Sequence, residues 1–295
     1  MGLRTNPTQR QRRLGIELRR LRLAAGMSVG AAAAAADLGP AHLGHIEAAR
    51  TAIPEVKLRA LAAAYGCRSE PLIDALVAMA QASGKGWWSE YKTLLPAQAL
   101  DLAELEYSAI GCRSFQWLYM PGLLQSPAYM EALFRGGEPD ADPATRARYV
   151  EFRLRRQQAL QEGTLQFHTV IHETALRMQF VPAEVMRGQI EHLVNMARLP
   201  NVRVQVLPLR SGVYPVQFST PFVIYEATAT ELNTVYVEQP ISSPFVSDQE
   251  HLRNFSTAFD SLSAVALEPI DAPIEPEFHA RRDSFALVQH LLYEL

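Results

Sequence analysis

The sequence predicts two folds in series: an all-α N-terminal domain, then a mixed α+β domain. Three observations carry this. Between Arg13 and Cys67, apolar residues recur at helical spacing in short runs separated by turn residues. From Ile110 onward, short β-branched and aromatic runs alternate with longer helical patterns. Charge also changes sign along the chain. Residues 1–68 hold eleven Lys and Arg against four Asp and Glu, a net of +7, while the whole chain is −3, which leaves −10 for residues 69–295.

The elements follow in order. Residues 1–12 read as a polar, basic arm. Leu14, Leu18, Leu21 and Ala25 share one helix face, and Gly26 ends that helix. Ser28 caps a second helix, because its hydroxyl accepts from the unpaired amides of the first turn, and Ala31–Ala36 continue it. Asp37-Leu38-Gly39-Pro40 is a turn, with Pro40 suited to the first position of a third helix whose Leu43 and Ile46 face inward. Leu58, Leu61, Ala62 and Tyr65 mark a fourth helix, and Leu72, Ile73, Leu76, Val77 and Ala80 a fifth. Small residues at 82–86 suggest a junction. The expected division is 1–82, 83–268 and a helical tail at 269–295.

The second part opens at Trp87-Trp88. A helix is expected around 98–108, a strand over 110–120 with Phe115, Trp117 and Tyr119 on one face, and a helix from Ser126-Pro127 to Phe134. A long helix starts at Asp142-Pro143 and runs to about Gln161. Strands follow at 165–171 and 202–207, with a helix from Val181-Pro182 to Arg198 between them. Strands at 222–225 and 234–238 read as antiparallel neighbours. Ser247-Asp248-Gln249-Glu250 reads as a capping box opening a helix to about Leu267, and a last helix is expected over 277–294.

Two short helices joined by a tight turn inside a compact helical head form a helix-turn-helix, whose second helix enters the major groove N-terminal residues first. The residues expected to meet DNA are Ser28 and Val29 at the start of the second helix, Pro40, Ala41, His42 and His45 on the recognition helix, and Arg50 for phosphate. Arg10, Arg12 and Arg13 are expected to add salt-sensitive affinity. The segment AAGMS, the turn at 37–40, Leu43 and HIEAAR (45–50) resemble the Xre-type, lambda-repressor-like helix-turn-helix. The resemblance implies that Glu47 ties the recognition helix to a basic residue of the first helix, Arg19 or Arg20. The sequence departs from that family at Val29, where Gln is usual, and at Ala32 and Ala36, where Leu is usual. It departs again across Pro40-Ala41-His42 and Gly44-His45, which contain none of the bidentate base readers.

The stretches WWSEY (87–91), MPGLLQSPAYMEAL (120–133), EFRLRRQQAL (151–160), HETAL (172–176), GQIEHLVNMARLPNVRVQVLPLRSGVYP (188–215) and TVYVE (234–238) resemble, in this order, a C-terminal domain of unknown function. That domain is carried by actinobacterial Xre-type regulators of the WhiJ-type and antitoxin-like group. The resemblance implies transcriptional control, with this domain receiving a signal from a small acidic protein encoded nearby or from a small-molecule ligand. His172-Glu173 stands where the family usually has Asp-Glu.

For a ligand or partner, the expected residues are Phe115, Trp117, Tyr119, Gln125, Arg153, Arg156, Glu173 and Tyr214: aromatic walls with guanidinium and carboxylate groups beside them. The bland reading is core aromatics, with Arg146, Arg148, Arg153, Arg155 and Arg156 in ion pairs to Glu106, Glu151 or Glu173. His168 and His172 lie four apart without a third ligand in sequence, so no metal and no cofactor are expected. There is no GxSxG, P-loop or helix-opening GxGxxG, so no catalytic residues are assigned. Cys67 and Cys112 have no CxxC spacing, no leader is apparent, and no run approaches the ~18 apolar residues of a membrane span, so a cytoplasmic protein is expected. The leading expectation is a homodimeric regulator that binds double-stranded DNA under control of its C-terminal domain. The alternative is a degenerate head, with the C-terminal domain acting as a ligand-binding protein or enzyme.

Overall fold

The computed structural model describes residues 3–215, 220–239, 243–271 and 282–295. By its contacts the chain forms two compact units: residues 1–108 with 227–233, and residues 109–226 with 234–295. The first unit therefore runs past the expected junction at 82–86 and also takes in a short segment from much later in the chain.

The first unit is helical: α1 (Gln9–Ala24), α2 (Val29–Ala35), α3 (Pro40–Glu47), α4 (Glu55–Ala64), α5 (Glu70–Gln81) and α6 (Ala97–Ser108). Thr8 caps α1 with a full capping box to Gln11, so the helix begins before Arg13. Gly26 turns the chain at φ +66°, and Ser28 caps α2 by accepting from the Ala31 amide at 3.1 Å. Pro40 occupies the first turn of α3. α3 ends with the Arg50 amide donating to the His45 carbonyl and the Ala49 amide to the Ile46 carbonyl, with Ala49 at φ +61°. Leu14, Leu18, Ala32, Ala36, Leu43, Ile46, Leu58, Leu61 and Leu76 form one core. Ala25, expected on the buried face of α1, is exposed because it lies beyond the end of that helix.

The second unit holds a six-stranded sheet in the order β3-β2-β1-β4-β5-β6, built from β1 (Gly111–Gln116), β2 (Gln166–His172), β3 (Val202–Leu207), β4 (Phe222–Glu226), β5 (Thr234–Val237) and β6 (Phe245–Val246). β1, β2 and β3 are parallel, because helical crossovers join them: α7 (Pro127–Gly137) with α8 (Pro143–Gln161), and α9 (Glu173–Arg177) with α10 (Ala183–Met196). β4, β5 and β6 add antiparallel strands, as expected for 222–225 and 234–238. One sheet face, with Phe115, Val170, Leu207, Phe222, Ile224, Val235 and Val237, packs on Leu252, Phe259 and Leu262 of α11 (Gln249–Val265). Asp248 alone caps α11, accepting from the Glu250 and His251 amides, so the cap expected to begin at Ser247 falls one residue later. The free edge of β3 is covered: the Leu267 and Ile270 amides donate to the Val206 and Val204 carbonyls. α12 (Ser284–Glu294) closes the unit, and the expected start of that helix near Glu277 lies outside the described residues. No described helix is long and apolar enough to cross a membrane.

Candidate nucleic-acid interface

α3 is held from behind by a buried ion pair. Arg22, in the last turn of α1, meets the Glu47 carboxylate with two bonds, Nε to Oε1 at 2.6 Å and Nη2 to Oε2 at 2.9 Å, and donates to the Met27 carbonyl at 2.9 Å. Both side chains are 7% exposed. The hydrogen bond to Glu47 raises the Arg22 pKa against burial. Glu47 in turn helps desolvation push the nearby Tyr65 phenol up to about 12. The expected partners Arg19 and Arg20 do not make this contact. Arg19 is exposed, and Arg20 pairs with Glu17. Helix phase gives the reason: Arg22 lies four residues after the buried Leu18, on the face turned to α3.

A second contact fixes α1 against α3. A Cβ on Gly15 would stand 2.5 Å from the Glu47 carbonyl oxygen, so only glycine permits this approach.

With α3 backed in this way, Pro40, Ala41 and His42 are exposed, His45 is half-buried, and Leu43 and Ile46 point into the core. Arg50 is exposed, and its carbonyl accepts from the Arg4 amide at 2.8 Å, which anchors the basic arm beside the end of α3. Ser28 is exposed. Val29 is half-buried and packs against the core.

Arg13 is a correction. It was expected to contact DNA but is only 3% exposed, bonded to Glu17 at 3.1 Å and to the Glu231 carbonyl. Its pKa is lowered, chiefly by burial. Because α1 starts at Gln9, positions 9, 13 and 17 all fall on its inner side. Arg10 is also engaged internally, with Glu104 and the Met79 carbonyl. Of the three arginines expected to add salt-sensitive affinity, Arg12 is the exposed one.

The residues expected to form a ligand site are dispersed over the strand-bearing unit. Gln125, Arg153 and Arg156 form a polar cluster with Glu238, at the end of the sheet where β1 and β5 finish. Gln125 donates to the Met120 carbonyl at 2.8 Å and accepts from Arg153, whose guanidinium lies 4.4 Å over the Phe134 ring. Burial, then the like charge of Arg156, lowers Arg153 to about 10, while Glu238 opposes the shift. Burial raises Glu238 despite a hydrogen bond from Gln116 at 3.3 Å. Neither Gln116 nor Glu238 is evident as a site residue from motif alone. Strand alternation could have found both, because 112, 114 and 116 on β1 and 234, 236 and 238 along β5 face away from α11.

Phe115 is a correction for the same reason: it lies in the α11 core, on the opposite sheet face from Gln125 and Arg153. Glu173 stands apart from Gln125 and Arg153. It is buried, paired to Arg177 at 2.5 Å, and accepts from the Leu209 amide at 2.8 Å. It lines a separate cleft of about 570 Å³ with Arg210, Arg282, Asp283 and His290. Trp117 and Tyr119 lie beyond the end of β1 and are exposed, with Tyr119 edge-on to Phe180 at 5.2 Å, and Tyr214 is exposed on the segment after β3.

The expected arginine ion pairs are partly present. Arg148 pairs with Glu151, whereas Arg146 pairs with Glu131 on α7. His168 bonds to Gln205 at 2.7 Å and His172 to Thr174 at 2.5 Å. Among the described residues, no group of three or more His, Cys, Asp or Glu is placed to hold a metal.

Two family models match the chain. One, described as a helix-turn-helix domain, covers residues 13–76, and one described as a domain of unknown function (DUF5753) covers residues 99–273. No curated protein and no solved structure matches.

Proposed function

The chain belongs to the DUF5753 family, and on that premise we propose that it is a DNA-binding transcriptional regulator whose helix α3 lies in the major groove. The observation that carries the proposal is the helix-turn-helix geometry itself: Pro40, Ala41 and His42 project from an α3 that is fastened from behind by Arg22, Glu47 and Gly15. Ser28 and Val29 at the start of α2, His45, and Arg50 with the arm around Arg4 and Arg12 flank that surface. In this reading the protein binds as a homodimer to half-sites about 34 Å apart, as other helix-turn-helix dimers do.

The strand-bearing unit then receives the signal. The cluster of Gln125, Arg153, Arg156 and Glu238, with Trp117 and Tyr119 exposed beyond the end of β1 and Tyr214 exposed on the segment after β3, suits an anionic group on a small ligand or on a small acidic partner protein. The quoted motifs support grouping the chain with actinobacterial WhiJ-type and antitoxin-like Xre regulators, acting in the cytoplasm without catalysis.

A second reading is favoured by one observation. The residues of α3, PAHLGHIE, include no Arg, Lys, Asn or Gln to read a base edge. On that reading the head has lost its operator, and the strand-bearing unit acts alone as a ligand-binding protein or enzyme.

Fluorescence anisotropy against the promoter flanking the gene, beside a scrambled duplex and at several salt concentrations, separates the two. The regulator prefers the promoter at every salt concentration. Equal and steeply salt-dependent binding to both duplexes reduces the head to a basic patch, and no binding to either leaves the strand-bearing unit as the functional part.

A further inference from the structure

The β4–β5 connection is longer and more apolar than a hairpin needs. Tyr225 pairs with Thr234, so a turn of two to five residues would serve. Instead the chain inserts Ala227-Thr228-Ala229-Thr230-Glu231-Leu232-Asn233, and this segment belongs to the helical unit. It is folded on itself by a short 3-10 turn at Thr230–Leu232, by the Leu232 amide donating to the Ala229 carbonyl at 2.9 Å, and by the Ala227 amide donating to the Asn233 side chain at 2.9 Å. Ala229 and Leu232 are 4% and 6% exposed and lie in the same core as Leu14, Leu18, Leu43 and Ile46. The buried Arg13 spans the two, holding Glu17 on α1 and the Glu231 carbonyl.

We propose that residues 227–233 are a positioning element of the DNA-binding head: they hold α1 through Leu232 and Arg13, and α1 holds the recognition helix through Gly15 and the Arg22–Glu47 pair. The helix-turn-helix of this protein is thus completed by a segment from the far part of the chain. This rests on the DNA-binding reading for its consequence, but not for its geometry. Taking the segment away leaves the Arg13 guanidinium without its carbonyl acceptor and uncovers the apolar atoms beneath Leu232. A head cut from the chain at residue 76 or 82 lacks the segment.

The test uses the full-length protein in four forms: wild type, a variant with residues 227–233 replaced by Asn-Gly, the milder Leu232→Ala, and Leu262→Ala in the α11 core as a control. Amide hydrogen exchange is read in α1 and α3, and promoter affinity is read by anisotropy. Shortening the segment should speed exchange in α1 and α3 by about tenfold or more, with Leu232→Ala in the same direction and Leu262→Ala without effect there. Promoter affinity should fall about tenfold in the shortened variant, while the weaker binding to scrambled duplex changes less. Exchange in α1 and α3 unchanged by both segment variants overturns the proposal, as does equal acceleration by Leu262→Ala. If the shortened variant fails to fold, Leu232→Ala decides alone. A wild type that binds no DNA sinks the regulator reading instead, and hydrogen exchange still decides the role of the segment.

Discussion

The two units bury arginine in opposite ways. In the helical unit each buried guanidinium meets a carboxylate: Arg22 is bidentate on Glu47, and Arg13 is on Glu17. In the strand-bearing unit Arg153 meets a neutral amide, Gln125, and an aromatic ring, and the carboxylate that opposes its shift, Glu238, is itself disfavoured by burial. The first arrangement is closed and fixes helices. The second bonds Arg153 to no carboxylate among the described residues, an arrangement that suits the anion site proposed above. Guanidinium groups are therefore closed by carboxylates in one unit, and Arg153 by an amide and a ring in the other.

Breaking the closed pair should have the largest effect. Glu47→Ala leaves Arg22 buried without its carboxylate and should cost about 3 kcal/mol in urea denaturation, since breaking one partner of a buried pair typically costs roughly 3–5 kcal/mol. The transition midpoint of the helical unit should drop and promoter binding should vanish. A loss under about 1 kcal/mol would mean the pair is solvated, as surface pairs are.

Gly15→Ala comes next. The added methyl meets the Glu47 carbonyl oxygen, so α1 and α3 must separate, at a cost of about 2 kcal/mol, in the range for overpacking. Thermal melting checks it, and an unchanged melting temperature would show that the crossing is looser than the distance implies.

Arg153→Leu sharpens the contrast from the other side. Replacing a guanidinium that bonds to no carboxylate among the described residues by an apolar side chain should change stability by no more than about 1 kcal/mol, in the stabilising direction. It should also abolish binding of small anionic probes such as citrate, measured by calorimetry. Strong destabilisation would class Arg153 with Arg22 and erase the distinction.

The smallest effect is a pH dependence of the strand-bearing unit. His168 has a lowered pKa, chiefly from burial. Its hydrogen bond with Gln205 and the charge of Asp260 oppose the shift, and the charges of Arg203 and Arg113 reinforce it. The folded state thus favours neutral imidazole. Its contribution is intact above the unfolded value of 6.5 and is lost as pH falls from there through the lower folded pKa. Melting temperature should decline modestly between pH 7 and 5, and His168→Gln should flatten that decline.

The head was largely legible in sequence. Helical spacing located its core at Leu14, Leu18, Leu43, Ile46 and Leu58, and Ser28 and Pro40 marked helix starts, because capping chemistry and periodicity act over a few residues. The partner of Glu47 was missed, since choosing Arg22 over Arg19 and Arg20 requires the phase of α1 to be followed to its last turn. Arg13 was misplaced because nothing local announces that Glu231, 218 residues on, offers it a carbonyl. In the strand-bearing unit, strand positions could be read but strand order could not. The parallel pairing of β1, β2 and β3 with β4 on the far side of β1 is long-range, and it separates Phe115 from Gln125 by sheet face and Glu173 from Arg153 by cleft. Residue type named candidate groups there, and topology decided which of them meet.

The most direct measurement is promoter affinity of His42→Glu beside wild type, with circular dichroism confirming an unchanged fold. His42 is exposed on the N-terminal half of α3, where a carboxylate would face DNA phosphate and base edges. The account predicts a loss of about 30-fold or more, from like-charge repulsion in the groove. Unchanged affinity would contradict it, placing DNA on another surface or on none.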